Sequence, residues 1–70
     1  MEDYKERLCK EYFDLTTRIM GLQNVLYHNE NGTLDFKLVS PVELMRSQLR
    51  AMKDYRDCLE TRARLENIPL

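Results

Sequence analysis

Little in this sequence would interrupt a helix: its 70 residues hold only two glycines and two prolines, while 33% are charged. That is the composition of a helical bundle. A surplus of either charge is missing too. Eleven basic residues stand against twelve acidic ones, a net charge of −1, which argues against a general nucleic-acid binder, because that role wants a clear basic excess. No apolar run is long enough to cross a membrane, and the opening MEDYKERL has no signal-peptide core, so the expected compartment is the cytoplasm. A glycine-rich phosphate loop and a metal-ligand cluster are both absent. The two cysteines, Cys9 and Cys58, lack metal-type spacing and read as small buried hydrophobes. The only histidine, His28, lies about 28 Å by helix rise from Cys9, too far for a Cys/His nucleophilic pair. Acids alternate with bases, as in Glu2/Glu6/Lys10 and Asp57/Glu60/Arg64, so no carboxylate pair stands out for proton transfer. The expectation is therefore a non-enzyme that needs no cofactor and no metal.

What is present is helical period. Residues 2–27 carry Leu8, Tyr12, Leu15, Ile19, Leu22 and Leu26 at alternating spacings of four and three, a heptad-like seam. Beside it runs a second stripe of Cys9, Phe13, Thr16, Met20 and Tyr27. Glu2, Asp3 and Glu6 suit the first turns, where the helix dipole favours acid. Residues 40–66 form the second expected helix. Ser40 as cap, Pro41 at the first position and Glu43 closing a capping box mark its start. Its first stripe is Met45, Leu49, Met52, Leu59 and Ala63, and its second Leu44, Ala51, Tyr55, Cys58 and Leu65. Between the helices, residues 28–39 hold the Asn31-Gly32 turn signal and an alternating Leu34, Phe36, Leu38 that folds back over the hairpin end.

Two such helices and a short loop give an all-α fold, one domain over residues 1–70, built as an antiparallel two-helix hairpin. With Tyr27 level with Ser40, facing residues have numbers that sum to 67, which sets Cys9 and Cys58 at one height. A hairpin cannot bury both stripes of both helices. One seam closes the hairpin, and the other is expected to close a homo-oligomer.

Binding chemistry is easier to place than catalysis. Arg62 and Arg64 beside Thr61, with Arg7, Lys10 and Arg18 from the first helix, offer donors suited to phosphate. Tyr4 and Tyr55 offer faces for stacking a base. The plainer reading pairs each arginine with a neighbouring acid and leaves Tyr55 in the core.

The first helix reads RL-x2-EY-x-DL-x2-RI-x2-L through Arg7, Leu8, Glu11, Leu15, Arg18, Ile19 and Leu22. The second reads L-x3-QL-x2-M-x2-Y-x3-L-x2-RA through Leu44, Gln48, Leu49, Met52, Tyr55, Leu59 and Arg62. Over roughly residues 4–65 this resembles a phage helical-hairpin family shared by anti-CBASS and anti-Thoeris sponges and by small proteins of crAss-like phages. The resemblance implies a homo-oligomer, often a hexamer, acting in the bacterial host cytoplasm. It implies sequestration, without cleavage, of cyclic di- or trinucleotides or cyclic ADP-ribose variants in pockets between protomers. Arg62 stands where such sponges place a phosphate-binding arginine, and Arg7 and Arg18 at family basic positions. Lys10 and Tyr4 approximate the lysine and tyrosine of the cyclic-dinucleotide pocket, the N-terminus here being shorter and the 28–39 loop longer. The alternative is a small helical interaction protein that docks on a host or phage protein and takes no small ligand.

Overall fold

The structure, a computed structural model, describes residues 3–70. Two helices, α1 (Tyr4–Glu30) and α2 (Val42–Leu65), pack against each other in a body 43 × 21 × 17 Å. Among the described residues no helix is long and apolar enough to cross a membrane.

The helix ends differ from the sequence reading, and the caps explain how. Asp3 is not in the first turn but caps it, its carboxylate accepting the Lys5 N–H at 3.2 Å. Glu2 lies outside the described residues. At the other end α1 continues through His28, Asn29 and Glu30, which the sequence reading assigned to the loop. The turn residue Gly32, at φ 69°, acts as the left-handed stop. Its N–H donates to the Asn29 carbonyl at 3.3 Å, and the Thr33 N–H donates to the His28 carbonyl at 2.8 Å. These two bonds make a Schellman motif, so the Asn31-Gly32 signal terminates the helix rather than starting the loop.

The expected capping box on Ser40 and Glu43 does not form. Pro41 keeps an extended ψ of 138° and takes the cap position itself, with no side-chain cap bond. Its carbonyl accepts from Leu44 and Met45. Ser40 is thereby one residue too early, and Glu43 turns instead to Arg46, at 3.7 Å. In the connecting segment Leu34 and Leu38 are half-buried, while a bend at residues 35–36 turns Phe36 outward.

Side-chain contacts between the helices run from Tyr4 to Arg62 and Glu66 and from Tyr12 to Glu60, sums of 66 to 72 around the expected 67. Cys9 turns to the tail, its thiol 3.5 Å from the Pro69 carbonyl, and Cys58 is exposed. Both thiols are free, and the reading of both as buried is corrected for Cys58 by its place on the outer stripe.

The core gathers Leu8, Leu15 and Ile19 from α1, Leu59 and Ala63 from α2, and Ile68 from the tail. The inner stripes thus form the seam, while Phe13, Met20, Tyr27, Leu44 and Leu65 of the outer stripes remain exposed. Packing is tightest at the end where Tyr4 meets Glu66; toward the loop Met45, Leu49 and Met52 are only half-buried. The tail closes that tight end by a second Schellman motif. Asn67 adopts φ 55°, its N–H donates to Arg64, and the Ile68 N–H donates to Ala63 at 2.8 Å, which drops Ile68 into the core at 5% exposure. Because glycine adopts that backbone without a Cβ penalty, Asn67→Gly is expected to raise stability by about 0.5 kcal/mol in chemical denaturation.

Tyr12, read as an apolar seam position, also carries a polar contact: its hydroxyl donates to Glu60 at 2.7 Å. That bond, then partial burial, then the nearby Glu60 charge raise the phenol above its ordinary 10.0. A raised value means the folded chain holds this proton more tightly than the unfolded chain. The stabilisation is complete below pH 10.0 and is lost as pH rises beyond it. Tyr12→Phe is therefore expected to flatten the fall of melting temperature above that pH.

Candidate functional site

Residues 4, 7, 11, 14 and 18 recur at spacings of three and four, which aligns Tyr4, Arg7, Glu11, Asp14 and Arg18 along one face of α1. Leu8 and Leu15, next to this row, are held in the core, so the row is carried on the rigid end of the hairpin. Two adjoining grooves open along it. One, of about 270 Å³, is lined by Tyr4, Arg7, Leu8 and Glu11 of α1 and by Arg62 of α2. The other, of about 480 Å³, is lined by Arg7, Lys10, Glu11, Asp14, Leu15 and Arg18.

Arg62 is the contribution of α2, and it is already oriented. Its Nη2 donates to the Tyr4 hydroxyl, and its guanidinium carbon lies 5.8 Å from the centre of the Tyr4 ring. Tyr4 in turn donates to Glu66 Oε2 at 3.3 Å, an atom 3.8 Å from Arg62 Nε. The Tyr4 contact first, and the Glu66 and Glu11 charges after it, raise the guanidinium pKa still further, so Arg62 is a permanent cation. Lys10 pairs with Asp14 at 2.9 Å. The side chains of Arg7 and Arg18 make no ion pair or hydrogen bond among the described residues.

Two cations, Arg7 and Arg62, face the smaller groove beside the Glu11 carboxylate. The first turn of α1, with its positive end of the helix dipole, lies beside the last turn of α2, which carries Arg62. An anion in the smaller groove would meet Arg7 and Arg62 together. No group that attacks, donates or accepts a proton in chemistry is distinguished in either groove; what the grooves offer is charge, hydrogen bonds and an aromatic face.

Of the residues singled out from sequence, Tyr4, Arg7 and Arg62 share one groove and Arg7, Lys10 and Arg18 the next. Arg64, Thr61 and Tyr55 line neither. The helix period explains this: positions two apart point about 200° away from each other, so Arg62 and Arg64 cannot face one groove. Thr61 is one residue off the same face, and Tyr55 lies two turns back along α2. Glu11 and Glu66 were missed as site residues. Glu11 was legible from the row of spacings, whereas the Glu66 contact depends on how α2 ends.

A family model described as Sequestin matches residues 2–65, nearly the whole chain and both helices that build the grooves. The chain belongs to the Sequestin family. The name denotes sequestration, and it fits the phage sponge family that the two helix motifs resemble. No curated protein and no solved structure matches the chain.

Proposed function

We propose that this Sequestin is a phage anti-defence sponge. It binds cyclic nucleotide immune messengers, cyclic di- or trinucleotides or cyclic ADP-ribose variants, in the host cytoplasm and does not cleave them. The observation that carries the reading is the juxtaposition of Tyr4, Arg7 and Arg62 in one groove of a chain whose family is named for sequestration. Arg62 and Arg7 hold phosphate oxygens, Lys10 and Arg18 extend the cationic track along α1, and the Tyr4 ring takes a base face. Arg64, Thr61 and Tyr55 enter only if a neighbouring protomer turns them toward a ligand.

Assembly belongs to the proposal. Both grooves are open to solvent, and a ligand gains affinity when a second wall removes its water. The outer stripes supply the means: Phe13 is 70% exposed and Leu65 74%, with Met20, Tyr27 and Leu44 similarly uncovered. Stripes of this kind can close helical homo-oligomers, a hexamer or another homo-oligomer in the sponge family that the motifs resemble. The same exposed stripes favour a second reading, docking on a host or phage protein with no small ligand.

Calorimetric titration with a panel of cyclic di- and trinucleotides and cyclic ADP-ribose isomers distinguishes the two. The sponge reading expects tight binding of one class with fewer than one ligand per chain, as pockets shared between protomers require. Heat changes no larger than dilution for the whole panel would transfer the function to the docking reading.

A further inference from the structure

Three carboxylates stand in or beside the two grooves, and two are committed. Glu66 accepts from Tyr4 and pairs with Arg62, and Asp14 pairs with Lys10. Glu11 differs. It is exposed, borders both grooves beside Arg7, and takes part in no hydrogen bond or ion pair among the described residues. Its charge is nonetheless felt at Arg62. One acceptor thus stays uncommitted where the two grooves adjoin.

We propose that Glu11 is the specificity-determining acceptor of the site, requiring a ligand that presents two adjacent hydrogen-bond donors. The inference rests on the sponge reading. A ligand whose phosphates sit on Arg7 and Arg62 brings negative charge close to Glu11 and strips its water. A bare carboxylate there would repel the ligand and lose its hydration unrepaid. Two parallel donors remove both penalties. The guanine edge, N1–H with the N2 amino group, supplies them, and so does a ribose with a free vicinal diol. The adenine edge does not: its N1 is an acceptor, which sets a lone pair against the carboxylate beside the single N6 donor.

The test is calorimetric titration of the wild type and of Glu11→Gln with cyclic di-GMP, cyclic di-AMP and cyclic ADP-ribose, with circular dichroism to verify unchanged helicity. The wild type is expected to bind a paired-donor ligand at least about tenfold tighter than cyclic di-AMP, the value of a charged hydrogen-bond pair. Glu11→Gln is expected to erase that preference, weakening the paired-donor ligand about tenfold while cyclic di-AMP tightens as a negative charge is removed. Weakening confined to cyclic di-GMP assigns the guanine edge, and weakening confined to cyclic ADP-ribose assigns the diol. A wild type that prefers cyclic di-AMP, or a variant that changes all bound ligands equally or none, overturns the role of Glu11 and leaves the sponge reading standing. Failure of the wild type to bind any of the three, or any other cyclic nucleotide, overturns both.

Discussion

Arg62→Glu is expected to weaken cyclic nucleotide binding by about a hundredfold or more, with helicity and assembly retained. The substitution removes a forked, permanently charged donor from the groove it shares with Tyr4 and Arg7. It also sets a third carboxylate beside Glu66 and Glu11, so a phosphate meets repulsion where it had met two hydrogen bonds. The fold should tolerate the change. Arg62 is exposed, and its partners Tyr4 and Glu66 are exposed too, so what is lost is a solvent-screened surface ion pair, with an unfavourable charge added at a helix C-terminus. Arg62→Lys separates charge from geometry. A lysine keeps the cation and loses the fork, and affinity is expected to fall by about tenfold. Equal affinity in the wild type and Arg62→Glu, measured by calorimetry, would remove Arg62 from the site.

The largest effect on stability is expected at Leu59. This side chain is 0% exposed and sits among Leu8, Leu15, Ile19, Ala63 and Ile68, where the two helices and the tail converge. Leu59→Ala leaves a cavity that rigid neighbours on three chain segments cannot close, a loss of about 2–5 kcal/mol. Small domains hold only about 5–15 kcal/mol in total, so the variant should melt early or fail to fold. Ile19→Ala, at 1% exposure on the facing helix, is expected to behave alike. Phe13→Ala provides the contrast. At 70% exposure it should change the stability of the isolated hairpin by no more than about 0.5 kcal/mol, yet lower self-association if the outer stripe is an interface. Urea denaturation and sedimentation of the three variants measure both quantities.

The hairpin was legible because heptad spacing sorts inner from outer stripe with little ambiguity. Leu8, Leu15, Ile19 and Leu59 lie on the seam that the spacing marked, and Phe13 and Met20 on the face it left over. Helix ends were less legible. Ser40 and Glu43 have capping-box spacing, but Pro41 with an extended ψ displaces the start by one residue. Gly32 stops α1 from beyond its end, so a turn signal at Asn31-Gly32 is compatible with helix up to Glu30. Whether the tail at Ile68 docks or frays is left open by the sequence, because docking depends on a left-handed Asn67, a conformation asparagine permits but does not announce. At the site, residue type pointed to Arg62, Arg7 and Tyr4, which share a groove. Arg64 and Thr61, adjacent to Arg62 in sequence, do not line that groove, since neighbours along a helix diverge in direction.

The central claim is that the protein holds its ligand intact, and release after binding tests it most directly. Purified protein is mixed with the panel of cyclic nucleotides, washed, heat-denatured, and the supernatant read by mass spectrometry. The chain has no tryptophan, so a nucleotide carried along also shows in the absorbance near 260 nm, over a small tyrosine contribution. The sponge account predicts recovery of one ligand class at its original mass, in amounts that scale with protein. Recovery of a linear or hydrolysed product would contradict holding without cleavage, and an empty supernatant at protein well above micromolar concentration would contradict binding itself.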